Sequence, residues 1–287
     1  MLPCPPPDKN LRRPQFVLPK ESWDCQAHIF GPFDKFPLGP DRNYTPAEHP
    51  LEQYIELLDS LGIDRGVIVQ GGAHGTDNRA MLDALARKPD RFRGVAVIQP
   101  GLPQAKLLEM DRLGVRGMRM STMVGGGVMF DKLSALAEEA VALNWHVALH
   151  FLHATELLAV EDYLRTCPSK ILLDHMARVS ADEGINSKPF QALLRLLDRG
   201  NVWVRLSSIY RLSSQPYPYE DMLPMIHKVI AERPDRMLWG TNWPHPIIPA
   251  KTKMPNDADL VDLVPLWIPS AVQRELVLVQ NPLELFR

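Results

Sequence analysis

Along the chain, short runs rich in β-branched and apolar residues alternate with longer stretches whose apolar positions recur at helical spacing. That alternation is the mark of βα units around a parallel sheet. Eight runs are predicted strands: Trp23–Phe30, Arg65–Gln70, Arg93–Gln99, Val115–Met120, His146–Phe151, Lys170–His175, Val202–Ser207 and Met237–Thr241. Between them lie apolar-periodic helices such as Leu51–Leu61, Asp131–Asn144 and Lys188–Arg199. Gly62, Gly114 and Gly200 each stand where a helix end needs a left-handed residue before the next strand. The expected fold is α/β, a single-domain (β/α)8 TIM barrel. A doubly wound open sheet is the alternative, but its glycine-rich first βα turn has no counterpart in Phe30-Gly31-Pro32-Phe33. The division expected is a proline-rich segment over 1–20, then a barrel over 21–287.

In such a barrel the catalytic groups come from the C-terminal ends of the strands. Here those ends are polar: Gln26 and His28 on the first strand, then Gln70, Gln99, Arg119, His150, His175 and Ser207, with Asn242 just beyond the eighth. Strict alternation sends Asp24, Gln26 and His28 to one face of the first strand and Trp23, Cys25, Ala27 and Ile29 to the other. Buried polar groups cost free energy unless partnered, so a strand this polar belongs to a site. The inward register of His28, His150 and His175 predicts one shared pocket. Arg119 alternates with Gly117 and also faces inward, where it needs a carboxylate: either Asp24 or a substrate anion. His74 and His153 follow strands closely enough to be further candidates. Trp243-Pro244-His245-Pro246 is a rigid turn that aims Asn242 and His245.

Composition narrows the ligand more than the fold. Of 287 residues, 45% are hydrophobic and 23% charged, with a net charge of −2, so nothing in the balance suits nucleic acid or an acidic membrane surface. A small ligand, neutral or locally steered, fits better. The first twenty residues have no apolar core of the signal-peptide kind, which predicts a cytoplasmic protein. Cys4, Cys25 and Cys167 are too few and too scattered for a disulfide framework or a zinc knuckle.

Several motifs together resemble the metal-dependent amidohydrolase superfamily, in the branch of 2-pyrone-4,6-dicarboxylate hydrolase, sugar-acid lactonases and galactarolactone isomerase. They are Asp24-Cys25-Gln26-Ala27-His28-Ile29-Phe30-Gly31-Pro32, His74-Gly75-Thr76-Asp77-Asn78, Arg116-Gly117-Met118-Arg119, Leu173-Asp174-His175-Met176 and Gly240-Thr241-Asn242-Trp243-Pro244-His245-Pro246. Members of that superfamily usually carry His-x-His on the first strand and Asp after the eighth, where this chain has Gln26 and Asn242. Amide oxygens are poor zinc ligands beside imidazole and carboxylate, so no metal and no other cofactor is expected. The paired Gln and Asn resemble the isomerase. Tyr44, His74, Thr76 and Arg211 resemble substrate-binding positions of the pyrone hydrolase, while Gly125-Gly126-Gly127 stands where that enzyme has another arginine.

The expected activity is hydrolysis of a carboxylated lactone, with metal-independent lactone isomerisation as the alternative and an inactive ligand-binding barrel as the second alternative. The two reactions differ only in whether water or a substrate hydroxyl attacks. His28, His150, His175 and Asn242 are the expected catalytic residues, a histidine serving as base and Asn242 donating to the oxyanion. Gln26, Tyr44, His74, Thr76, Arg119, Arg211 and His245 are expected to bind the substrate, a small anionic lactone. Nucleic acid and membrane are not expected partners, and the oligomeric state stays open.

Overall fold

Helix α1, Leu51–Leu61, shows how the elements are specified. Leu51, Tyr54, Leu57, Leu58 and Leu61 form one buried stripe at spacings of three and four, and Gly62 ends the helix at φ 74°. Burying each large apolar side chain contributes about 1.5–3 kcal/mol. In the computed structural model, which describes residues 2–249 and 252–287, such helices surround eight parallel strands. These are β1 (Trp23–Ala27), β2 (Arg65–Val69), β3 (Phe92–Ala96), β4 (Val115–Ser121), β5 (His146–His150), β6 (Lys170–Leu173), β7 (Val202–Leu206) and β8 (Met237–Trp239). Each pairs with the next in sequence order, so the strands form a (β/α)8 barrel. The seam between β8 and β1 is closed by hydrogen bonds from Asn242 N to the Gln26 carbonyl and from His28 N to the Trp243 carbonyl, both 2.7 Å. A Cβ on Gly240 would sit 2.6 Å from Gln26 N, so the seam approaches this closely only with glycine there.

Inside the barrel, Trp23, Cys25, Val67, Val69, Val95, Ala148, Leu172, Trp203 and Leu238 form one apolar cluster. Leu285 and Phe286 of the C-terminal helix Asn281–Phe286 close it from below, with Phe286 stacked on Trp23 at 6.1 Å. The other face of the strands packs on the helices. This plug leaves the opposite end, where the strands terminate, for the polar residues.

Two local departures from the regular pattern set the site. The pairing of β1 with β2 shifts register between Asp24 and Ala27, a bulge that places an extra residue in β1. Asp24 therefore turns to the helix layer, where it accepts hydrogen bonds from Tyr54 Oη of α1 (3.1 Å) and from Thr241 N and Oγ1 (2.9 and 2.6 Å). The strict alternation expected for this strand is corrected accordingly: Gln26 and His28 face inward without Asp24. The second departure ends β6 at Leu173, two residues short of the expected strand end. His175, Met176, Ala177 and Arg178 follow at φ 51°, 52°, 51° and 65°, a left-handed turn that brings His175 to the cavity at the barrel mouth and leaves the Arg178 charge close enough to act on His150 and His175.

The segment before β1 is tied down at both ends. Leu2–Pro3 pairs with Tyr44–Thr45, and Arg12 bridges to Asp259 and Asp262 on the helix Asp257–Asp262. Among the described residues no helix is long and apolar enough to cross a membrane.

Candidate active site

At the C-terminal ends of the strands, His28, Tyr44, Arg119, His150, His175, Arg211 and Asn242 line one cavity together with Val124, Pro246 and Ile247. It holds about 20 Å³, room for about one water, so a substrate must displace part of the apolar lining. Four other expected residues lie elsewhere. Gln26 sits behind His28, and His245 behind Asn242. His74 and Thr76 line an adjoining cleft of about 300 Å³ with Asp77 and Gly126, where His74 stacks on Phe30 at 5.8 Å. A wider cleft, about 700 Å³, contains Tyr210, Tyr217, Lys253 and Asp259 but no histidine among its described lining residues.

Each cavity histidine is oriented by a bond to its Nδ1. His28 Nδ1 faces the Val69 carbonyl at 2.8 Å, which makes it the protonated nitrogen; His28 Nε2 then accepts from the Gln26 amide at 3.3 Å. His150 Nδ1 pairs with Ser121 Oγ at 3.0 Å, leaving its buried Nε2 without a partner. His175 Nδ1 pairs with Ser207 Oγ at 2.7 Å, and the His150 and His175 rings meet edge to face at 5.2 Å.

The charges around them are mostly positive. Asp174, at the end of β6, takes Arg119 Nε at 3.0 Å on one oxygen and Arg205 Nη1 on the other; Arg205 also donates to the Gln26 side-chain oxygen. The carboxylate expected for Arg119 is thus neither Asp24 nor supplied by a ligand alone; it is Asp174. Arg178 and Arg211 make no ion pair among the described residues, and Arg178 Nε and Nη1 are buried without partners. Burial and these guanidiniums hold the histidines neutral. His28 is pushed down to about 3, chiefly by burial and then by Arg119, and His150 and His175 fall well below their ordinary value for the same reasons.

A sharp acid lability follows from four such groups, since His146 at the bottom of the barrel is also lowered by burial to about 3. Below pH 6.5 the unfolded chain binds protons that the native histidines refuse, so stability falls as pH drops, by up to about 1.4 kcal/mol per pH unit per histidine, down to about pH 3 for His28 and His146. Asp24, raised by burial to about 6, acts oppositely but is a single group. Denaturant midpoints measured at pH 7 and pH 5 should drop markedly at the lower value. A midpoint unchanged between them would mean that the histidines are charged in the native state.

A family model described as Amidohydrolase matches residues 23–287. The chain belongs to the amidohydrolase family. It is 37% identical to a 2-pyrone-4,6-dicarboxylate hydrolase of Comamonas testosteroni, covering 96% of this chain and 93% of that one. It is 32% identical to a D-galactarolactone isomerase of Agrobacterium fabrum, over 96% and 94% of the two chains. A crystal structure of an Agrobacterium tumefaciens protein without ligand superposes with a TM-score of 0.85 at 32% identity, over 95% and 98%.

Within this amidohydrolase the usual metal position does not fit a divalent cation. Gln26 occupies a ligand place but holds its oxygen on the Arg205 cation and its nitrogen on His28 Nε2, and Asn242 offers an amide where a carboxylate would stand. Among the described residues no three His, Cys, Asp or Glu side chains converge as a ligand set. The amidohydrolase site also includes groups that sequence reasoning missed: Asp174, Arg178, Arg205 and Tyr210. Arg205 was open to detection, since it shares the inward register of Trp203. Arg178 was not, because its direction comes from a left-handed turn that carries no strand alternation.

Proposed function

We propose that this amidohydrolase acts on the ring ester of a small anionic lactone without a metal, most simply by hydrolysis. The observation that carries the reading is the convergence of neutral, oriented histidines with guanidiniums that lack enough carboxylates: of four arginines near the cavity, Arg119 and Arg205 share Asp174, while Arg178 and Arg211 have no ion pair among the described residues. An anionic substrate supplies the missing negative charge. Pairing with Arg119 and Arg211 also weakens the repulsion that, after burial, keeps His150 and His175 from binding a proton, so substrate entry itself helps to ready a base.

Histidine removes a proton from water as its oxygen bonds to the lactone carbonyl carbon; the ring C–O bond breaks, and the departing oxygen recovers a proton from the imidazolium. In this reading Arg119 polarises the carbonyl or binds the carboxylate. Isomerisation needs the same groups with a substrate hydroxyl in place of water. The small volume of the cavity, about 20 Å³, favours that second reading, as does the similarity to an isomerase.

Incubating the purified protein with a panel of carboxylated lactones separates the outcomes. Hydrolysis releases acid, ring migration moves NMR signals without acid, and an unchanged panel would remove the proposal.

A further inference from the structure

Asn242 lines the cavity from a backbone at φ 67°, yet its side chain is tied to residues that do not line it. Asn242 Nδ2 donates to Tyr210 Oη at 2.9 Å; Tyr210 Oη faces His245 Nδ1 at 2.9 Å; His245 Nε2 lies 3.1 Å from Asp257 Oδ1. All four residues are buried. We propose that Tyr210, His245 and Asp257 are positioning residues that hold the Asn242 amide with its carbonyl oxygen toward the cavity.

The Asp257 carboxylate can only accept, so His245 Nε2 carries a proton. A neutral His245 then takes the Tyr210 hydroxyl proton on Nδ1, and a charged His245 gives its own Nδ1 proton to the phenol oxygen. In the neutral state the phenol has an oxygen lone pair, and no proton, for Asn242; in the charged state the phenol keeps its own proton, which turns to Ser208 beside it and leaves the oxygen to accept from Asn242. A flipped amide would set oxygen against oxygen. The facing Tyr210 and Asp257 outweigh burial and raise His245 to about 9, so that its Nδ1 donates to the phenol oxygen.

The consequence concerns the chemistry assigned to this position. Asn242 offers the cavity an acceptor, suited to the hydrogen of an attacking water or hydroxyl, where sequence reasoning expected a donor to the oxyanion. Because an amide cannot keep that proton, the base remains a histidine.

The kinetic part of the test rests on the lactone reading; the structural part does not. Asn242 side-chain amide protons, assigned in ¹⁵N-asparagine-labelled protein by their loss in Asn242→Ala, should exchange with solvent at least about tenfold faster in Tyr210→Phe and in Asp257→Asn than in the parent. On a turned-over lactone, Tyr210→Phe should lower kcat about 10- to 100-fold with KM nearly unchanged, and should add nothing in an Asn242→Ala background. Unchanged exchange in both variants overturns the assignment whatever the activity. A double variant slower than Asn242→Ala alone also overturns it, because Tyr210 would then act on the substrate directly. A parent inert on every lactone, with exchange accelerated as stated, would sink the lactone reading and leave the positioning intact.

Discussion

Replacing Asp174 by asparagine should destabilise the fold by about 3–5 kcal/mol, the largest stability effect expected of any single substitution here. Both oxygens of this carboxylate are engaged, one by Arg119 and one by Arg205, and all three side chains are almost completely buried. Taking away the negative charge leaves two desolvated guanidiniums facing each other across an amide. Removing the charges together should cost much less: the triple variant Asp174→Leu, Arg119→Met, Arg205→Met should recover most of the lost stability while losing activity, since an apolar trio needs no compensation. Chemical denaturation of the single and triple variants checks this. A single variant within about 1 kcal/mol of the parent would show that water or another group already compensates the arginines.

The largest effect on activity is expected from His150→Asn, which should lower kcat by about 10²- to 10⁴-fold with the fold intact. An asparagine amide can occupy the place of Nδ1 and keep the contact with Ser121 Oγ, but it has nothing at the place of Nε2. That nitrogen is buried, without a partner, on the residue whose ring meets His175. Turnover and unfolding should be measured on the same preparation. Full turnover in a stably folded His150→Asn protein would move the proton transfer to His28 or His175.

Much of the architecture was legible because the relevant signals are local and repeated. The strand starts at Trp23, Arg65, Val115, His146, Lys170, Val202 and Met237 coincide with the observed ones, and Leu51–Leu61 coincides at both ends. Strand ends were overrun, as at Lys170–His175, because the polar residues beyond them continue the alternation in sequence while the backbone has already turned. The histidines, Arg119, Arg211, Tyr44 and Asn242 meet in one cavity, but His74, Thr76, Gln26 and His245 do not reach it. The reason differs for each. A bulge that inserts one residue in β1 separates Asp24 from Gln26, and neither composition nor spacing announces it. The Asp174 ion pairs depend on β4 reaching past β5 to β6, and β7 beside β6, at a matching height, a relation between elements that no single segment encodes.

The claim on which the rest depends is that a cavity with too few carboxylates for its arginines selects anionic lactones. The most direct measurement is kcat/KM of the parent protein for a lactone dicarboxylate against its dimethyl ester, followed by NMR under matched conditions. The account predicts that the diacid is turned over at least about a hundredfold better, two charge-assisted contacts being lost in the ester, and that Arg119→Met shrinks this preference. Equal turnover of acid and ester, or turnover of the ester alone, would contradict it.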